Sequence, residues 1–480
     1  MAGLFDVLDT AHSGLVSSQQ GIRTVGHNIA NVNTPGFSRQ RQDLAATSPT
    51  RERGQYVGTG VETTSVSRAH DAFLERQLLS QSSRVGSADA QSRQLALLEN
   101  VFNEQGGQQL GASLGQLYDA FADLAAAPNP GASVEREALR AAAVRVADTL
   151  HGADAALRDQ QNAVNSTIAV ELDEINGILA RIEGLNREVA LAEGHAPAND
   201  LRDRQDLLVR GLASHLEVDT YRGTNGQVNV VLASGFALVE GPEARSLVLR
   251  PDPANSFGPH LGRVFLDSGS DVVDVTGEIG GGQLGGLLRA RDTLIAGAIR
   301  ELDTVAFNLT ETVNAVHRGG LGLDGSSGDF FSNLTAVENA ARDIAIDPAI
   351  AASTDAIAAG LTTEAGDNRN AATLAGLRSQ QQAIFQLGDP PGPATGPSRS
   401  VLSQLAATTA NIGQQARSMA QSSDQQGAVL LSLDNQREAL AGVSIDEEVT
   451  RLIRLQAAFE ANARVIGTIN SMIDDLMSIL

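Results

Sequence analysis

Apolar residues recur every three or four positions at both ends of this chain. Near the N-terminus the spacing runs unbroken through residues 1–32, where Ser18 is the only polar member. Near the C-terminus it runs through residues 445–480, with Glu448 and Asn462 as polar members. A stripe of this period is the seam of a coiled coil. The sequence therefore predicts two long terminal helices that pair with each other or with neighbouring subunits.

These two stripes are the candidate subunit-packing surface. Its members are Leu4, Leu8, Leu15, Ile22, Val25 and Ile29 in the first helix, and Leu452, Leu455, Phe459, Asn462, Ile466, Ile469, Ile473 and Leu476 in the last. A buried Asn in a seam fixes register at some cost in stability, which is the role expected for Asn462. Ser444 and Glu447 form an S-x-x-E pattern that predicts a capping box at the start of the last helix. Two ordinary core helices remain the alternative interpretation.

Charge and composition exclude several classes of function. The chain has 57 acidic and 35 basic residues, and its formal net charge of −22 disfavours binding to nucleic acid. Cysteine and lysine are both absent, which removes thiolate nucleophiles, disulfides and the phosphate-binding lysine of P-loops. No apolar run approaches the ~18 residues that span a bilayer. The first residues also lack the basic and apolar regions of a secretory signal peptide. Neither nucleic acid nor membrane is predicted as a partner.

Changes in residue period divide the chain into regions. Helical periodicity dominates the first half, and alternation with turn signals follows at 217–283. The sequence predicts a mostly α protein with an inserted β-rich region, an α+β fold. Its expected parts are an inner coiled-coil domain (1–60 with 441–480), a helical body (61–216 with 284–318 and 399–440), a small β-rich domain (217–283) and a mixed outer insertion (319–398) that ends in a Pro/Gly linker at 389–397.

Patterns that would carry chemistry are weak. Residues 280–285 match G-x-G-x-x-G, but no second parallel strand follows, so a junction between sheet and helix is the better interpretation. Asp200, Asp203 and Asp206 are interpreted as a solvated helix face with local ion pairs rather than a cation site. The histidines show no metal-ligand spacing. No catalytic residue, cofactor or metal is predicted, and an enzymatic insertion at 320–400 remains a minor alternative.

The segment after the first helix is the most specific in the chain. Pro35 disfavours a helical conformation at Thr34, and Gly36 accepts the positive φ of a type II turn, so a helix stop followed by a turn is predicted. As a string, the segment closely resembles the A-N-x-N-T-P-G-[YF]-[ST]-R signature of flagellar rod, hook and hook-associated proteins. The residues that carry this resemblance are Asn31, Asn33, Thr34, Pro35, Gly36, Phe37 and Arg39.

Three other stretches extend the resemblance. Residues 444–466 are similar to the C-terminal signature of the same flagellar family. Residues 199–208 and 282–292 look like stretches of the hook-associated members that join hook to filament. The resemblance implies a structural component of the flagellum at the hook–filament junction, needed for filament assembly. Another axial protein, of the hook or the distal rod, is the alternative.

The resemblance also implies how such a chain reaches its place and what it contacts. Members of this family have terminal helices that are disordered in the monomer and pair on polymerisation. They leave the cell through the flagellar type III export apparatus without a cleaved signal peptide, and they end in the extracellular flagellum. The implied partners are further copies of the chain in a ring, hook protein, a second hook-associated junction protein, and a cytosolic export chaperone on the C-terminal helix.

Overall fold

The computed structural model describes residues 2–52, 55–102, 109–127, 131–194, 197–223, 225–255, 257–269, 271–386 and 394–479. The outermost seam positions, Met1 and Leu480, and most of the linker expected at 389–397 lie outside the described residues.

Helices form most of the structure. They are α1 (Ala2–Ala30), α2 (Ala72–Phe102), α3 (Leu110–Ala126), α4 (Ser133–Glu193), α5 (Asn199–His215), α6 (Gly282–Arg289), α7 (Ala296–His317), α8 (Ala340–Asp343), α9 (Pro348–Ala352), α10 (Arg369–Gly376), α11 (Val401–Ala441) and α12 (Ile445–Ile479). A π-helical segment over Ala290–Ile295 joins α6 to α7 without a break. Short 3-10 turns lie at Thr276–Glu278 and Thr354–Ala356.

The strands are short and form five small antiparallel sheets among the described residues. They are β1 (Gln40–Ala46), β2 (Thr50–Glu52), β3 (Gln55–Val57), β4 (Val61–Arg68), β5 (Val218–Arg222), β6 (Val228–Leu232), β7 (Ala237–Glu240), β8 (Glu243–Ala244), β9 (Ser246–Pro251), β10 (Gly262–Asp267), β11 (Val272–Asp274), β12 (Gln382–Ala383) and β13 (Ser398–Arg399). Strands β5 to β11 form one four-stranded and one three-stranded sheet between α5 and α6. The expected fold class, mostly α with an inserted β-rich region, is confirmed.

The 61-residue helix α4 is the spine of the body. At about 1.5 Å per residue it is about 90 Å long. Its apolar stripe, which includes Ile168, Leu172, Ile175, Leu179 and Ile182, is buried against α3, the β-rich sheets and the continuous helix α6–α7. Helix α2 packs along α11, so the start and the end of the chain enter the body side by side.

The structure contains a β-ribbon between α1 and α2 that the sequence did not predict. Strand β1 pairs with β4 from Gln40–Arg68 to Ala46–Val61, with one irregularity after Asp43. Both strands are rich in polar residues, so the alternation that marks a half-buried strand is faint. The ribbon crosses residue 60, which was the expected limit of the terminal domain. The four-part division of the chain stays a prediction.

The glycine cluster at 280–285 lies at the junction between the β-rich region and α6, as interpreted from the sequence. Gly282 has a φ of +70°, and a Cβ there would lie 2.4 Å from the carbonyl carbon of His215. The glycines therefore allow the chain to pass close to the end of α5. Within the described residues, no helix is long and apolar enough to cross a membrane.

Candidate assembly site

Helices α1 and α12 form an antiparallel pair with a strict seven-residue repeat. Gly14 faces Asn462, because a Cβ on this glycine would lie 2.7 Å from the Asn462 amide nitrogen. One heptad further along α1, a Cβ on Gly21 would lie 3.0 Å from Leu455. The next heptad brings the Asn28 amide nitrogen to 3.0 Å from Oε2 of Glu448. Two glycines in this row allow the helix backbones to approach closely.

The predicted seam residues lie beside this row. Val25 and Ile469 are buried, whereas Leu476 is 45 % exposed. The remaining members are half-buried: Leu4, Leu8, Leu15, Ile22 and Ile29 on α1, and Leu452, Leu455, Phe459, Asn462, Ile466 and Ile473 on α12. Pairing of the two helices within one chain therefore leaves most of this surface only partly covered.

Sequence reasoning missed the residues of closest helix contact on α1. Gly14, Gly21 and Asn28 each lie one position before a residue of the predicted register. The seam was sought among large apolar residues, and glycine and asparagine do not mark one. Their own seven-residue spacing was the available signal.

Glu448 is the buried anchor between the terminal helices. Its carboxylate is fully buried and accepts hydrogen bonds from Nε of Arg39, at 2.8 Å, and from Asn28. The same arginine pairs through Nη1 with Glu447, at 2.9 Å, although Glu447 is 63 % exposed. The predicted capping box is therefore wrong, since the Glu447 carboxylate pairs with Arg39 instead of with the Ser444 amide. An ion pair from α12 to Arg39, which lies between the signature turn and β1, takes the place of the local cap.

The signature segment forms the predicted type II turn. The Phe37 amide donates to the Thr34 carbonyl at 3.2 Å, and Gly36 has a φ of +80°. The Thr34 hydroxyl donates to the Asn31 side chain at 3.1 Å, and the Asn31 amide nitrogen donates back to the carbonyl of His27. These bonds end α1 and hold the turn rigid.

The turn also joins the terminal helices to the body. The Phe37 ring packs edge-on against the His27 ring, at 5.4 Å between centroids. The backbone of Arg39 bonds on both sides, accepting from the Ala69 amide and donating to the Ala441 carbonyl, each at 2.8 Å. The two remaining signature residues, Asn33 and Pro35, lie on the exposed side of the turn.

The three aspartates of α5 do not form a solvated face, so that interpretation is wrong. Asp203 is 5 % exposed and accepts from the Ser38 amide, at 2.9 Å, and from Arg68, at 2.7 Å. Asp206 pairs with Arg68 at 2.7 Å and with Arg222 at 2.5 Å. Burial alone would lower the pKa of Arg68, but the carboxylates of Asp206 and Asp203 raise it above its usual value. Arg68 comes from β4, more than a hundred residues earlier in the chain, and Arg222 comes from β5, the strand that follows α5.

Asp200 also connects α5 to the terminal segments, at a position nearer the surface. Its Oδ1 accepts from the Gln40 side chain at 2.7 Å and lies 3.1 Å from Nε2 of His27. The aspartates of α5 therefore clamp the end of α1, the signature turn and the ribbon onto the body.

Large apolar side chains remain exposed around this paired terminus. On α12, Ile445 is 51 %, Val449 41 % and Ile453 60 % exposed, and they lie at four-residue intervals on one face. Phe5 and Val7 on α1 are each about half exposed. Exposed apolar side chains at this spacing form a candidate surface for contact with another protein.

Comparisons with known protein families agree with this geometry. The model described as the FlgK helical domain of flagellar hook-associated proteins matches residues 95–331. The model of the flagellar basal body rod FlgEFG protein C-terminal region matches 438–479, and the flagella basal body rod protein model matches 8–37. The two terminal matches fall on the helices that form the pair.

Full-length relatives and a solved structure extend these matches. The chain is 25 % identical to flagellar hook-associated protein 1 of Escherichia coli strain K12, over 98 % of this chain and 99 % of that protein. It is 27 % identical to the protein of the same name from Bacillus subtilis strain 168, over 100 % of this chain and 99 % of that protein. The fold is similar to that of the flagellar hook junction protein FlgK from Burkholderia pseudomallei, with a TM-score of 0.64 and 15 % identity, over 76 % of this chain and 100 % of that one.

The family membership expected from the signature turn is confirmed by these matches to both ends, the helical middle and the full length. The chain belongs to the family of flagellar hook-associated protein 1.

Proposed function

We propose that this protein is a structural component of the bacterial flagellum that forms the junction between hook and filament and is needed for filament assembly. One observation carries the proposal: α1 and α12 bring the two ends of the chain together as a locked pair whose outer faces stay apolar and exposed. Such a unit can bond to further units above and below it. Its work is mechanical, and the proposal includes no catalytic step.

The proposed partners are those that the family resemblance implies, and the same surface is available to them. Further copies of the chain, arranged in a ring, would cover the seam residues that one pair leaves half-buried. Hook protein on one side and a second hook-associated protein on the other would complete the contacts. The row Ile445, Val449 and Ile453 is exposed before assembly. A cytosolic chaperone that covers α12 until export would protect this row from aggregation.

The proposed route is export through the flagellar type III apparatus without a cleaved signal peptide, and the final location is the extracellular flagellum. The segments 1–60 and 441–480 would be the inner part of the assembled structure. The remaining parts would fold as a body around α4 and keep their structure when the terminal pair is disturbed.

The test is a clean deletion in the source bacterium, complemented with wild-type and variant genes. Electron microscopy of the deletion strain should show hooks without filaments, and flagellin should accumulate in the medium. Strains without hooks would move the assignment to the hook or distal rod, and normal flagella would contradict the proposal.

The assembly surface is tested by Leu452→Asp and Ile466→Asp, which place a charge in the seam. Either variant should be exported but fail to complement, while circular dichroism of the purified protein retains most of its helical signal. Asp474→Asn, at an exposed position of the same helix, is the matched control and should complement. Normal filaments with either seam variant would refute the assigned surface.

A further inference from the structure

Outside the assembly site, α4 and α5 bring together three side chains of the kinds that bind metal ions. Glu171 and Glu174 are one turn apart on α4, and His215 is the last residue of α5. Each offers one ligand atom, and these atoms lie within 4.8 Å of one another. The sequence had given no reason to join them, because the histidine lies far along the chain from the two glutamates.

The inner carboxylate fixes the orientation of the imidazole. Glu171 is 3 % exposed, and its Oε1 lies 2.7 Å from Nδ1 of His215. Its Oε2 accepts a hydrogen bond from the Gln283 side chain at 2.8 Å. An ionised carboxylate only accepts, so Nδ1 carries the hydrogen and Nε2 of the neutral ring keeps its lone pair. A buried carboxylate on the far nitrogen is the usual support of a metal-binding histidine.

The outer glutamate lies at the right distance for a second ligand. Oε1 of Glu174 is 3.8 Å from Nε2 of His215, which is too long for a hydrogen bond. Ligand atoms that each lie about 2.0–2.2 Å from one ion are separated by about 3–4 Å. Glu174 is 57 % exposed, so water can reach the gap and complete the coordination.

We propose that His215 and Glu174 bind one divalent transition-metal ion, with Glu171 as the positioning residue that holds the imidazole. An imidazole ligand favours zinc, nickel, cobalt or copper over calcium and magnesium. The ion would tie the middle of α4 to the end of α5, directly before the first strand of the β-rich region at Val218. This site is independent of the proposed junction function.

The competing state is a protonated His215 between the two carboxylates. The hydrogen bond to Glu171 raises the pKa of His215, since it outweighs the opposing effect of burial. The ion and the proton compete for the same nitrogen, so binding is best measured at about pH 8.

The experiment is calorimetric titration of the full-length, tag-free protein with nickel or zinc chloride. The wild type should bind one ion, and Glu174→Gln should abolish that binding. Because Glu174 is exposed, this variant keeps the fold and carries the test even if His215→Gln disturbs α5. Glu171→Gln should weaken binding by roughly 10–100-fold. His12→Gln, at an exposed position of α1, is the matched control and should change nothing.

A spectroscopic measurement distinguishes ligation from general surface binding. With one equivalent of Cu²⁺, electron paramagnetic resonance should show coupling to a single imidazole nitrogen that is lost in His215→Gln. Equal binding by wild type and Glu174→Gln, or no binding by the wild type, would overturn the proposal. Deletion phenotypes test the junction function, so neither proposal depends on the other.

Discussion

Glu447 and Glu448 offer a controlled test of what holds the terminal helices together. Both carboxylates contact Arg39 at nearly the same distance, 2.9 and 2.8 Å. They differ in burial, since Glu447 is 63 % exposed and Glu448 is fully buried. Replacing each by alanine therefore removes a similar contact from two different environments.

The expected magnitudes follow from that difference. An exposed ion pair contributes about 0–1 kcal/mol, so Glu447→Ala should reduce the stability of the helix pair by about 0.5 kcal/mol. Removing one partner of a buried pair costs about 3–5 kcal/mol. The lower end of this range applies to Glu448→Ala, because both donors retain another partner. The Arg39 side chain is 28 % exposed and still pairs with Glu447. The Asn28 side chain still donates to the Gln40 carbonyl at 2.8 Å. We expect about 3 kcal/mol.

The assay is amide hydrogen exchange of the purified chain, followed by mass spectrometry on peptides from α12. A loss of 3 kcal/mol should speed exchange in the first turns of α12 by roughly a hundredfold, against about twofold for Glu447→Ala. Equal acceleration by both variants would refute the reasoning from burial.

The same experiment addresses a difference between expectation and structure. The family resemblance implies terminal helices that are disordered before assembly, whereas α1 and α12 are formed and paired in the structure of the single chain. Unprotected α12 amides in the wild type would mean that the Glu448 contact forms only on assembly. The stability difference predicted for the free chain would then be wrong.

Three further predictions concern single substitutions, and the first compares two glycines of α1. Gly26→Ala should stabilise α1 by about 0.5–1 kcal/mol, because a Cβ there meets nothing within 4 Å. Gly21→Ala should instead be destabilising by about 1 kcal/mol, because a Cβ there would lie 2.8 Å from Oε1 of Gln42 and 3.0 Å from Leu455. Thermal unfolding and amide hydrogen exchange on α1 compare the two variants. Gly36→Ala should cost about 1–2 kcal/mol, because its φ of +80° disfavours an L side chain, and faster exchange in the turn would report it. Nε2 of buried His317 accepts from the Ala358 amide at 2.8 Å, and burial lowers the pKa of this imidazole. As pH falls below about 6.5 the unfolded chain takes up the proton first, so the free energy of unfolding should decrease. Denaturant unfolding at a series of pH values should show a smaller decrease in His317→Gln than in the wild type. The same dependence of stability on pH in both proteins would contradict the assignment.

Local pattern was sufficient for the elements that depend on nearby residues. The period of three and four residues predicted the terminal helices, and Pro35 with Gly36 predicted the turn, because both effects act within a few peptide units. Family membership was also accessible, since the signature turn is a short contiguous string.

The register of the terminal pair was only partly accessible. Large apolar residues mark the side of a helix that is buried, but the closest approach of two helices depends on small residues such as Gly14 and Gly21. Glu448 looked like an imperfection of the seam. Its burial is tolerated because Arg39 and Asn28, more than four hundred residues away in sequence, donate to it.

The sequence by itself determined the helical ends, the turn and the family, because periodicity and local backbone preferences are written in adjacent residues. Tertiary structure alone decided what the charged residues do. From the sequence alone, Asp203 and Asp206 are compatible with a solvated helix face. In the structure, β4 and β5 bring Arg68 and Arg222 to within 2.7 Å of these carboxylates. The environment of a charge depends on chain segments that only folding brings together, so its spacing along one helix does not reveal its partner.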